Sequence, residues 1–227
     1  MLVDVLQIGY LSSVVIVFLI TVSLISIQQG LPKFQRLELA LCWLMVLSPA
    51  VEFMSLQEFE IPWFAIAFIH ASPLLLGPLI ERYKQALTNT YTGFWRTLPH
   101  FLPFVLFFSY RLVDDVGVTP AVGALYLTQI LFYQANVVRA CLSDKSFLLS
   151  LKDAKYGLIP HRLLIAFYFV FSLAGIVQMV GYLFNFEQVW LLLHMTNTFV
   201  FIYVVLLCRG YINLLLKKLE NLNKSSC

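Results

Sequence analysis

The chain has 227 residues, 60% of them hydrophobic and 12% charged, with a formal net charge of +3 and a mean hydropathy of +0.84. That balance lies far from the usual soluble globular composition and predicts an integral membrane protein. No connection between the apolar runs is long enough to bury a core of its own, so a second domain is not expected.

Crossing a hydrocarbon core of roughly 30 Å takes about 20 apolar residues per helix. Seven runs qualify, at 5–27, 37–54, 61–80, 98–113, 119–141, 163–184 and 189–208. They lack the period-two alternation of barrel strands, so helices are the predicted form. The expected fold is all-α, a polytopic seven-transmembrane-helix bundle over 1–208 followed by a tail at 209–227. Of the fifteen basic residues, only Arg111, at the far end of the fourth run, falls on the side opposite the others. Lysine and arginine are retained on the cytoplasmic side of short loops, which predicts the N-terminus outside, the C-terminus in the cytoplasm and a bacterial inner-membrane location. The start "MLVDVLQIGYLSS" lacks a basic region, so no cleavable signal is expected.

Pro49 in the second run, Pro73 and Pro78 in the third and Pro103 in the fourth each remove a backbone donor. The carbonyl four residues earlier then lacks its partner, and kinks are predicted. Ionisable groups inside apolar runs are costly and normally face a bundle interior or a wet cavity. Glu52, His70, His194 and Asn197 are therefore the predicted ligand-binding residues, the last two sharing a helix face at a spacing of three. Gln129 and Gln178 add polar groups. Arg111 is expected to pair with Asp114 or Asp115, while His100 and His161 read as interfacial anchors.

Cys42, Cys141, Cys208 and Cys227 show no metal-type spacing and are predicted to be packing residues. The histidines show no HxxxH spacing and there is no HExxH, so no metal, haem or zinc peptidase site is expected. No lysine falls inside an apolar run, which argues against a retinal Schiff base. No cofactor is expected, and the chain is not expected to be an enzyme. In the tail, Ile212, Leu215, Leu219 and Leu222 form a two-heptad stripe. It is expected either to lie among lipid headgroups or to dock a partner, including a second copy in a homodimer through 209–222.

The stretch "PLLLGPLIERYKQALT" followed by "LPHFLPFVLFF" resembles the membrane-bound, seven-helix sensor half of bacterial AraC-type transcriptional regulators. The matching residues are Pro73, Gly77, Pro78, Tyr83, Leu87, His100, Leu102, Pro103 and Phe104. Members of that family continue into a helix-turn-helix domain, whereas this sequence stops at Cys227, so no direct nucleic-acid contact is expected. The resemblance implies a sensor half whose output lies with a cytoplasmic regulatory protein. Pro73, Pro78, Arg82, Tyr83, His100 and Pro103 are the expected signal-coupling residues. The functional expectation is a membrane sensor and signal transducer with the lipid bilayer as partner and a small or lipophilic ligand. The alternatives are a small transporter, or subunit of one, and a scaffold recruiting a soluble protein.

Overall fold

The computed structural model describes residues 2–27, 33–56, 60–90, 92–113, 120–152, 158–184, 200, 202–217 and 220. Among them the regular elements are all helices: α1 (Leu2–Ile27), α2 (Lys33–Leu56), α3 (Trp63–Ala71), α4 (Pro73–Thr88), α5 (Phe94–Val113), α6 (Pro120–Ser143), α7 (Lys145–Lys152) and α8 (His161–Phe184). A ninth helix, α9, covers 202–217.

Among the described residues no helix is long and apolar enough to cross a membrane. This overturns the expected seven-span bundle, and with it the multi-pass membrane assignment and the sidedness deduced from the basic loops. The third run shows one physical reason. Pro73 and Ser72 divide it into α3, nine residues long, and α4, whose second half carries Glu81, Arg82, Lys84 and Gln85. In α2 the first turns hold Lys33, Gln35, Arg36 and Glu38, and α6 contains Gln129, Gln134, Asn136 and Arg139. A count of apolar residues over a run does not register where a helix breaks or where polar side chains find partners within the fold.

The main core joins α1, α2, α4, α6, α7, α8 and α9. Val17, Ile20 and Leu24 of α1 are buried, as are Leu41, Met45 and Val46 of α2. On α4, Ile80 and Tyr83 turn inward, and Phe167 of α8 meets Tyr203 of α9 edge to face with centroids 4.9 Å apart. A smaller cluster around Ala71, Leu74, Phe107, Tyr126 and Ile130 joins α3, α4, α5 and α6. Helix α1 leaves Leu11, Val15, Phe18, Leu19, Val22 and Ile25 exposed, while α5 exposes Leu98, Leu102, Val105, Leu106 and Val113.

Proline in α4 has a specific compensation. Pro78 offers no N–H to the carbonyl of Leu74, and Gln129 of α6 supplies the donor, its Nε2 lying 3.0 Å from that oxygen. The expected kink site is thus a cross-link between α4 and α6. Gly77 lets the helices approach, since a Cβ there would lie 2.2 Å from Cδ2 of Tyr133. Replacing Gln129 by Leu leaves the buried Leu74 carbonyl without its donor, and a loss of about 1–3 kcal/mol is expected in an equilibrium denaturation experiment.

The connection after α6 is more ordered than a basic loop. Asp144 accepts hydrogen bonds from Ser146 Oγ at 2.6 Å and from the Phe147 amide at 3.1 Å, capping the N-terminus of α7. Those bonds, the Ser146 hydroxyl first, hold its carboxyl below the ordinary carboxylate range. Phe147 and Leu151, one turn apart, are buried. Helix α4 ends at Asn89, whose φ of 54° places it in the left-handed region, and its amide returns to the carbonyl of Gln85.

Helix α9 runs past residue 208, where the tail was expected to begin, without a break through 217. Tyr211 and Leu214 pack against the core, whereas Ile212 is exposed. Leu219 and Leu222 of the predicted stripe lie outside the described residues.

Candidate functional site

Helix α4 presents two chemically different faces. Pro78, Glu81, Arg82 and Gln85, spaced by three and four, line a cavity of about 240 Å³. Its other walls come from Thr92, Arg96 and Thr97 at the entry to α5, from His100 and Phe101 of α5, and from Phe132, Tyr133 and Asn136 of α6. Arg82 ties the α4–α5 connection down over this space. Its guanidinium donates to the Thr92 carbonyl at 2.9 Å, to the Thr97 hydroxyl and, at 3.4 Å, to Gln85 Oε1. Gln85 Oε1 also accepts from the Thr92 hydroxyl at 3.1 Å. Lys84 pairs with Glu81 at 2.7 Å. On the opposite wall, His100 Nδ1 and the Tyr133 hydroxyl lie 2.5 Å apart, joining α5 to α6.

The adjoining face of α4, turned by about 100° for each residue step, carries a buried polar cluster. The hydroxyl of Tyr83 donates to Glu38 Oε1 at 3.0 Å and lies 2.5 Å from His161 Nδ1. Glu38 Oε2 accepts the backbone amide of Leu158 at 3.0 Å. With the single phenolic proton going to Glu38, the Nδ1–H of His161 is the donor to the Tyr83 oxygen. Glu38 and Tyr83 are wholly buried and His161 is 3% exposed. Burial, then the neighbouring Glu38 carboxylate, hold the Tyr83 hydroxyl well above its ordinary pKa. The cluster connects α2, α4, the segment before α8, and α8 itself. Closed off from solvent in this way, it can hold helices together, and none of its members lines the cavity.

The expected coupling residues divide between these two places. Pro78, Arg82 and His100 line the cavity and Tyr83 belongs to the buried cluster. Pro73 opens α4 and Pro103 lies inside α5. Of the expected ligand residues, His70 sits near the end of α3, where its Nδ1 is 3.0 Å from Nη2 of Arg111. Arg111 is itself buried, with its guanidinium carbon 5.1 Å from the centroid of the Trp63 ring. Asp114 and Asp115, its expected partners, lie outside the described residues. So do His194 and Asn197, and so does the side chain of Glu52, which stands in α2.

Glu38 carries no signal of its own in a one-dimensional reading, beyond being a carboxylate within "LELALCWLM". His161, expected only as an interfacial anchor, is a member of the same network. Their contacts span 45 to 120 residues of sequence. Arg96 and Asn136 likewise emerge only because α5 and α6 converge on α4. Among the described residues no group of three or more His, Cys, Asp or Glu side chains is arranged to hold a metal ion. Comparison with family models gives no match, and neither do comparisons with curated proteins or with solved structures.

Proposed function

We propose that the protein is a ligand-responsive sensor in which occupancy of the cavity between α4, α5 and α6 is passed along α4 to the buried Glu38–Tyr83–His161 cluster. The observation that carries this reading is the adjacency of Arg82 and Tyr83 on one helix. Arg82 latches the α4–α5 connection across the cavity, and Tyr83 locks the same turn of α4 to α2 and α8. A ligand group that draws the guanidinium away from the Thr92 carbonyl and the Thr97 hydroxyl changes the restraint on that turn. Since a ligand shifts an equilibrium only through its differential contacts with two arrangements, the latch gives the two arrangements a physical meaning. The buried cluster then biases α2 and α8 toward one or the other.

The apolar side chains that α1 and α5 leave exposed suit contact with lipid acyl chains, and a lipid bilayer is the partner we propose for them. A soluble regulatory protein is the proposed recipient of the signal. The resemblance of residues 73–104 to the sensor half of AraC-type regulators points the same way. No catalytic step is proposed.

Arg82→Ala mimics release of the latch without any ligand. Hydrogen exchange, read by mass spectrometry, is expected to quicken about tenfold at residues 158–164 and 35–42 as well as at 92–97. Faster exchange confined to 92–97 sinks the coupling between cavity and cluster.

A further inference from the structure

The cavity carries a mainly basic lining beside an exposed apolar stripe on α5. Three basic side chains, Arg82, Lys84 and Arg96, line it against a single carboxylate, Glu81. Lys84 is engaged by Glu81 and Arg82 by the loop it holds, whereas Arg96 makes no side-chain hydrogen bond or ion pair among the described residues and is exposed. Asn136 faces the same space, also without a side-chain partner among the described residues. A planar guanidinium beside an amide offers the donors that a phosphate or carboxylate takes, two of them from the fork of Arg96.

The apolar part of the site continues from those donors. Phe101 and Phe132 form a wall of the cavity. Beside it on α5, Leu98 and Leu102 are 44% and 53% exposed, and the stripe goes on through Val105 and Leu106. These positions follow one another at helical spacing, so a chain laid along α5 meets them in succession after leaving the cavity. A small hydrophilic anion has no use for that track. An uncharged apolar molecule has none for the cations.

We propose that the cavity binds the phosphodiester headgroup of an anionic phospholipid, with its acyl chains lying along the exposed Leu98, Leu102 and Val105 stripe of α5. This rests on the sensor reading above for the consequence of occupancy, but the binding itself does not. The headgroup takes Arg96 first and competes with the Thr92 carbonyl for Arg82, so lipid charge at the cavity becomes the signal that reaches α4.

The test is a calorimetric titration of the full chain with dihexanoyl phosphatidylglycerol below its micelle concentration. Dihexanoyl phosphatidylcholine and inorganic phosphate serve as separate arms. Saturable binding of the glycerol lipid is expected, weakened about tenfold by Arg96→Ala and by Leu102→Gln, both at exposed positions. Arg162→Ala, which removes an exposed charge at the start of α8 away from the cavity, should leave it unchanged. Equal weakening by Arg96→Ala and Arg162→Ala overturns the site, as does equal affinity for the choline lipid. Phosphate binding as tightly as the lipid overturns the acyl track and identifies a free anion as the ligand. If the lipid fails to bind while Arg82→Ala still quickens exchange at 158–164, the lipid assignment falls and the sensor reading stands. Lipid binding without that exchange response has the opposite meaning.

Discussion

Replacing Glu38 by Ala is expected to destabilise the fold by about 3–5 kcal/mol, the range for removing one member of a buried, hydrogen-bonded charged network. The carboxylate accepts from two directions, the Tyr83 hydroxyl at 3.0 Å and the Leu158 amide at 3.0 Å. Truncation leaves both donors in a site that no water reaches, and it deprives His161 of the carboxylate that lies 3.5 Å from its Nδ1. Tyr83→Phe is the milder variant, with an expected loss of about 1–3 kcal/mol from an acceptor and a donor left unpaired. Equilibrium unfolding in denaturant reads both.

Tyr83 also predicts the shape of the pH dependence. Its folded pKa lies well above the ordinary value of 10.0, so the folded state holds the phenolic proton more tightly than the unfolded chain does. The associated stability is fully present below pH 10.0, falls as pH rises beyond it, and is lost by the time the folded group ionises. The alkaline slope should therefore be shallower in Tyr83→Phe than in the parent protein. An identical slope in the two proteins would place the proton uptake elsewhere.

Why Glu38 escapes a reading of the sequence, while Pro78 does not, is a matter of range. The consequence of Pro78 is local, because its missing N–H must orphan the carbonyl four residues back. The donor that answers it, Gln129, comes from 55 residues away and is invisible to any periodicity. Helices were legible wherever apolar residues ran on, as along α1, α5 and α8. Their membrane-spanning character was inferred from composition and the length of the apolar runs, and neither sees Ser72 and Pro73 splitting one run in two. Nor does either see that Arg82, Gln85 and Thr92 satisfy one another across a tight turn. In the cavity, Pro78 stood out as a proline within an apolar run, whereas Arg82 and His100 were singled out as coupling residues only through the resemblance of residues 73–104. Arg96 and Asn136 are ordinary polar residues until the packing of three helices makes them face one volume.

Gly210→Ala should be the most disruptive single methyl addition at the glycines whose surroundings are described. A Cβ at Gly210 of α9 would stand 1.6 Å from the carbonyl oxygen of Leu158 and 2.6 Å from its carbonyl carbon. Those are backbone atoms, which cannot swing aside as the end of a side chain does, so either α9 or residues 158–160 must shift. The amide of Leu158 is a donor to Glu38, and His161 follows three residues later at the start of α8. Movement there pulls on the buried network through two of its members at once. We expect a loss of about 3 kcal/mol or more, at the upper end of what overpacking costs. The double variant Glu38→Ala, Gly210→Ala should then lose less than the sum of the two single losses, because the hydrogen bond that each breaks is the same one. Additive losses in denaturant unfolding would mean that α9 presses on Leu158 without straining the cluster.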